Sequence, residues 1–177
     1  MIRGFLLGVA ILIVGIAVGY SVASTTGAGS YKQEVYSTID QKKSQLPFVA
    51  RGEFRSILVN NCRVVAAIEL GVITFGVFGG FVLLVNGIKI GMLYRTALVG
   101  GVYWKLWLFH VIPHGVIEYT GLLLAEAAAI HGGRYLWIRL NSKTTSLGWR
   151  KAILVALACY PIILLAALIE VYVTPFL

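Results

Sequence analysis

Charged residues are scarce in this sequence. Only 12% of its 177 residues are Asp, Glu, Lys or Arg, while 59% are hydrophobic; soluble domains carry roughly 25% and 45–50%. Mean hydropathy is +0.87, which excludes a disordered chain and an ordinary soluble enzyme. Cysteine is nearly missing. Cys62 and Cys159 both sit in apolar stretches, so a disulfide framework and a CxxC zinc site are excluded and two buried thiols are expected. Aspartate occurs once, at Asp40, which removes a paired-aspartate intramembrane hydrolase. No HExxH run and no Ser, His and Asp set is present. An enzyme is therefore not expected, nor a cofactor.

What the chain does have is base and long apolar runs. Lys and Arg number 15 against 7 acids, a net charge of +8. In so apolar a chain this excess reads as anchoring to anionic lipid head groups, with no nucleic acid as partner. A bilayer core takes roughly 20 apolar helical residues. Gly4 to Ala23 carries no charge and is longer than a signal-peptide core, so a retained first span is expected there. Residues 24–56 turn polar. Within them Tyr31, Val35 and Ile39 recur every four residues, the spacing of a short amphipathic surface helix that Pro47 would end; a solvated loop is the equal alternative. A second span is read from Ile57 to about Val85, closed by Asn86-Gly87. A basic connection (87–97) follows, then a shorter apolar helix (98–112). A longer helix is read over 114–138 and a last span over Lys151 to Tyr172. The expected fold is all-α: an integral membrane bundle of about five hydrophobic helices, broken at Pro113. Its parts are an N-terminal helix (1–23), a polar segment (24–56) and a membrane domain (57–177).

If all five segments cross a bilayer, Arg3, Lys89, Arg95, Arg134, Arg139, Lys143, Arg150 and Lys151 share one side. Lys32, Lys42, Lys43, Arg51, Arg55 and Arg63 take the other, a balance of eight against six. The positive-inside rule then predicts a multi-pass cell-membrane protein with a cytoplasmic N-terminus.

Four of the seven acids, Glu69, Glu118, Glu126 and Glu170, fall inside predicted spans. A carboxylate in hydrocarbon is costly, so each is expected to face protein or water and to have a partner. Glu69 has Arg63 as a candidate partner, though an interfacial Arg63 is also reasonable. The densest polar cluster is His110, Pro113, His114, Gly115 and Glu118, joined by Glu126. On a continuous helix His110, His114 and Glu118 would share one face. Pro113 instead predicts a break near Ile112, with His114 and Glu118 opening the next helix. The cluster can be structural, a proton or ion relay, or, least of all, a metal site at His110, His114 and Glu118. No metal is expected. The small residues around Glu126 (Ala125, Ala127, Ala128, Ala129) suit a close helix contact.

Pro113-His114-Gly115-Val116-Ile117-Glu118 resembles the PHGxxE signature of the stage II sporulation protein M family. Asn60-Asn61 before a Gly-rich span, Asn86-Gly87 followed by Gly91, and Glu170 ahead of Thr174-Pro175 are similar to that family's other landmarks, in the same order. The resemblance covers roughly residues 57–177, and the N-terminal third shares only the layout. It implies a polytopic helical membrane protein. The sporulation member acts as a membrane partner of extracytoplasmic cell-wall hydrolases, not as the hydrolase. Two functions follow. The first is a non-enzymatic membrane scaffold or assembly factor, in a homo-oligomer or with other membrane proteins. The alternative is a small-cation or proton channel or transporter using the intramembrane Glu and His.

Overall fold

The computed structural model describes residues 1–23, 46–99, 104–141 and 148–174, and all regular structure in these residues is helical. Five helices follow in order: α1 (Ile2–Val22), α2 (Leu46–Leu70), α3 (Val77–Val99), α4 (Trp104–Asn141) and α5 (Gly148–Tyr172). A 3-10 turn, Gly71–Thr74, joins α2 to α3. Among the described residues four stretches are long and apolar enough to span a membrane: Ile2–Val22, Glu53–Thr74, Val77–Val99 and Trp149–Tyr172.

The remaining helix, α4, organises the bundle. Its 38 residues reach roughly 57 Å at 1.5 Å per residue, well beyond a bilayer core of about 30 Å. From Gly121 to Ala129 every residue except Leu124 is buried, the signature of a helix enclosed by neighbours rather than one with a single apolar stripe. Helix α1 packs on it antiparallel, Gly4 against Ala127 and Gly8 against Leu123. Helix α5 is antiparallel too, with Gly121 beside Ile163 and Gly132 beside Ala152. The core holds Val65, Ile68, Leu83, Leu122, Cys159 and Ile163.

Helices α1 and α3 are parallel neighbours held backbone to backbone. The buried residues of α1 are Gly4, Gly8, Leu12, Gly15 and Gly19, one stripe at helical spacing. Opposite them stand Leu83, Gly87 and Gly91 of α3. A Cβ at Gly15 would lie 2.6 Å from the Leu84 carbonyl oxygen, and one at Gly87 would lie 2.6 Å from that of Leu12. Nothing larger than glycine fits, which is how membrane helices gain van der Waals contact when lipid supplies no hydrophobic drive between them.

This arrangement corrects several readings of the sequence. The apolar stretch from Ile57 to Val85 is not one span. The chain reverses at 71–76, where Phe75 and Gly76 take φ of 56° and 89°. The turn satisfies its own backbone. Gly76 N–H donates to the Gly71 carbonyl at 2.7 Å, and Thr74 Oγ1 accepts the Phe78 N–H at 3.0 Å. Accordingly Asn86-Gly87 closes nothing. Asn86 bonds back to the Val82 carbonyl within α3, and Gly87 is a packing position. Residues 87–97 belong to α3, and the described residues of 98–112 belong to the end of α3 and the start of α4. Pro47, read as a helix stop, lies in the first turn of α2, where its missing N–H costs nothing. The amphipathic helix expected at Tyr31, Val35 and Ile39 lies outside the described residues.

The predicted break at Pro113 is also corrected: α4 runs through it, as α5 runs through Pro161. A proline deletes one i→i−4 hydrogen bond and crowds the preceding turn. In α4 the long apolar helix and its close neighbours outweigh that local defect, as membrane helices commonly allow.

Candidate functional site

The four acids read as intramembrane fall into three places: Glu126 and Glu69 lie towards the end where α1 begins, and Glu118 and Glu170 at the far end. The first is Glu126, on α4, only 1% exposed. Its carboxyl lies in a cradle of glycines from three elements. A Cβ at Gly76 would come within 3.0 Å of Oε1, one at Gly8 within 3.6 Å of Cγ, and one at Gly79 would collide with Oε2. The absent side chains of α1 and of the α2–α3 turn are what make room for the acid. Among the described residues Oε2 has no hydrogen-bond partner. The neighbouring alanines serve the close approach their size suggests, with Gly4 packed on Ala127.

The second place joins α2 to α5. Tyr160 donates its hydroxyl hydrogen to Glu69 Oε2 at 3.0 Å. Glu69 therefore pairs with a tyrosine on another helix and not with Arg63, which is exposed. Six residues separate Arg63 and Glu69, about 240° of helical rotation at 3.6 residues per turn, so the two leave α2 on different sides. Glu69 Oε1 is buried without a partner among the described residues. It borders a cavity of about 150 Å³ lined by Val72, Ala128, Ala129, Gly132, Trp149, Ala152, Ile153 and Ala156. Walls of alanine and glycine leave this space between α4 and α5.

The third place, at the far end, holds the PHGxxE residues. His114 Nδ1 lies 3.3 Å from Thr174 Oγ1, and that hydroxyl donates to the Ile169 carbonyl at 3.1 Å. Glu118, one turn on from His114, is close enough to Glu170 of α5 for the two carboxyls to interact electrostatically. Continuity of α4 places His110, His114 and Glu118 four residues apart on one helix; the His110 side chain lies outside the described residues. Gly115 is buried, but a Cβ there would touch only Val111 of its own helix, at 3.6 Å. Among the described residues no three His, Cys, Asp or Glu side chains gather as a metal set would require.

The other motif residues fall elsewhere. Asn60 and Asn61 sit midway along α2, bonded to each other at 3.2 Å, with Asn61 buried. The sequence residues thus gather in part: His114 with Glu118 and Glu170, and Glu126 with the glycines, but not Glu118 with Glu126. Three contributors escaped sequence reasoning. Tyr160 carries no motif signal, and Thr174 is a landmark with nothing to link it to His114. The glycine spacing of α1 does carry one, since 4, 8, 15 and 19 share a helical face. At the far end Arg95 also ties α3 to α1, donating to the Tyr20 hydroxyl at 3.0 Å with its guanidinium over the ring.

An uncharacterized protein of Methanocaldococcus jannaschii, MJ0793, is 30% identical over 126 residues, covering 69% of this chain and 71% of that protein. No solved structure matches. The stage II sporulation protein M family matches residues 8–175, which takes in most of α1 as well as the later helices. The chain belongs to the stage II sporulation protein M family.

Proposed function

We propose that this protein is a multi-pass, non-enzymatic scaffold or assembly factor of the cell membrane. The observation that carries the reading is how its interior polar groups are used. Glu69 and Tyr160 tie α2 to α5, His114 and Thr174 tie α4 to the end of α5, and Tyr20 and Arg95 tie α1 to α3. Each bond joins two helices, and glycine contacts lock α1 to α3 at backbone distance as well. Such a body suits holding partners in place. On this reading Tyr160→Phe leaves both Glu69 oxygens unpartnered and costs about 1–3 kcal/mol, seen as a lower melting temperature in detergent. An unchanged melting temperature with altered ion permeability would contradict it.

A second reading, a proton or small-cation path, draws on the two unpartnered carboxylate oxygens, Glu69 Oε1 beside the cavity and Glu126 Oε2 in its cradle. Flux measurements separate the two.

The orientation we propose differs from the one the sequence favours. With five crossings, α3 carries Lys89 and Arg95 to the side opposite Arg3. Lys32, Lys42, Lys43, Arg51, Arg55, Lys89, Arg95 and Lys105 then face Arg3, Arg134, Arg139, Lys143, Arg150 and Lys151 across the membrane, eight against six with the sides reversed. The positive-inside rule now favours an extracytoplasmic N-terminus and a cytoplasmic 24–56 segment. Single cysteines placed near residues 30 and 145 are expected to react with an impermeant maleimide in whole cells only at 145. Labelling only near 30 would reverse the orientation.

A further inference from the structure

The described exterior of the bundle is largely apolar along its spans, but two bases stand exposed away from the span ends. Lys89 of α3 follows Ile88, which packs on Gly19 near the end of α1, so it lies towards the far face, whereas the other stands in the middle of α2. The candidate span there is Glu53–Thr74, 22 residues long, and Arg63 stands at its centre, roughly 15 Å of helix from either end. Arg63 is exposed, as are Val59 and Asn60 on the turn before it. An arginine side chain reaches about half that distance, so snorkelling from the centre falls short of the head groups. Translocon scales put an unpartnered arginine at a helix centre at about +2.5–3.5 kcal/mol. The fold does not relieve this cost. Glu69, the nearest acid in sequence, is turned inward to Tyr160, and no described residue pairs with Arg63.

We infer that the Val59–Asn60–Arg63 face of α2 docks a transmembrane helix of a different protein, one that carries a single Asp or Glu near its midpoint. Charge complementarity selects this occupant. A second copy joined by a two-fold through this face would bring Arg63 towards the partner copy's Arg63. The described acids within the spans, Glu69, Glu118, Glu126 and Glu170, are buried or half-buried and none is exposed. Among the described residues there is therefore no outward acid to offer a copy of this chain at that depth. A lipid phosphate lies too far out to meet a guanidinium at the centre of the span. Asn60 would add a hydrogen bond to the docked helix, as amides do between membrane helices.

The inference rests on the scaffold reading, and a defined probe tests it. The full chain is reconstituted in vesicles with a labelled leucine–alanine transmembrane peptide bearing one central Glu, and association is read by energy transfer. The matched peptide with Gln is the comparison. We expect the Glu peptide to associate about tenfold more strongly than the Gln peptide. Arg63→Leu should abolish the difference and Arg63→Lys should keep most of it, which guards against a misfolded variant. Equal association of the two peptides, no association, or self-association that Arg63→Leu removes would each overturn the assignment. Ion flux in the same vesicles keeps the two ideas apart. Failure of the peptide without flux rejects only the Arg63 face, whereas flux rejects the scaffold reading itself.

Discussion

Replacing Gly87 or Gly19 with valine is expected to separate α1 from the rest of the protein. At both positions the missing Cβ is occupied by the backbone of the facing helix: the Leu12 carbonyl and Gly15 Cα at Gly87, the Ile88 carbonyl at Gly19. Backbone cannot rotate aside as a side chain can. Overpacking a yielding core costs about 1–3 kcal/mol, and here the whole helix must move, so a loss of about 3 kcal/mol or more is expected. Crosslinking between cysteines placed at Ile11 and Gly80, where a Cβ would lie 3.1 Å from Ile11 Cδ1, would read the separation directly. Gly115→Ala is the control. Its Cβ has room, and it should crosslink as efficiently as the unsubstituted chain. If Gly87→Val left crosslinking intact, the parallel contact of α1 and α3 would be wrong.

Glu126→Gln is the second large effect, in the opposite direction. The carboxyl is almost completely buried, and its Oε2 is without a partner among the described residues. Its place is a glycine cradle that fits its shape. A charge removed from water without a counterion is far more costly than a neutral amide of the same size. The substitution should therefore raise stability by about 1–2 kcal/mol, measured as the shift in thermal unfolding in detergent at pH 8. A destabilised variant would mean that Glu126 has a partner it binds as a carboxylate, and would move weight to the ion-path reading.

The class of fold was legible because its signals are long: a 20-residue uncharged run and apolar stretches through the rest. The landmarks around Pro113 and Asn60 were legible as well, since their order survives without any geometry. Boundaries were not. Asn86-Gly87 has the composition of a turn, yet in a membrane bundle the same glycine is worth more as a place where α1 can touch. The true turn at 71–76 is apolar except for Thr74 and depends on the φ of Phe75 and Gly76, which no hydropathy pattern reveals. Pro113 suggested a break because local rules consider one hydrogen bond, whereas a 38-residue helix packed on its neighbours answers to many contacts. Each error displaced charge. Moving Lys89 and Arg95 into α3 was enough to reverse the proposed orientation.

The site was half legible. That Glu126 is buried and Glu69, Glu118 and Glu170 at least half-buried followed from the cost of charge in hydrocarbon. Their partners did not, because Tyr160 stands 91 residues from Glu69 and Thr174 stands 60 from His114, and only the packing of α5 brings them in. The cradle of Glu126 was visible only as scattered glycines whose common target lay on another helix.

Cation and proton flux in proteoliposomes tests the central claim most directly. The chain would be reconstituted in one orientation, with Glu126→Gln and empty vesicles alongside. A scaffold whose interior polar groups serve as ties between helices predicts no flux above empty vesicles for several cations and for protons. Flux in the unsubstituted chain that disappears in a stably folded Glu126→Gln protein would contradict the account, and would make the glycine cradle part of an ion path.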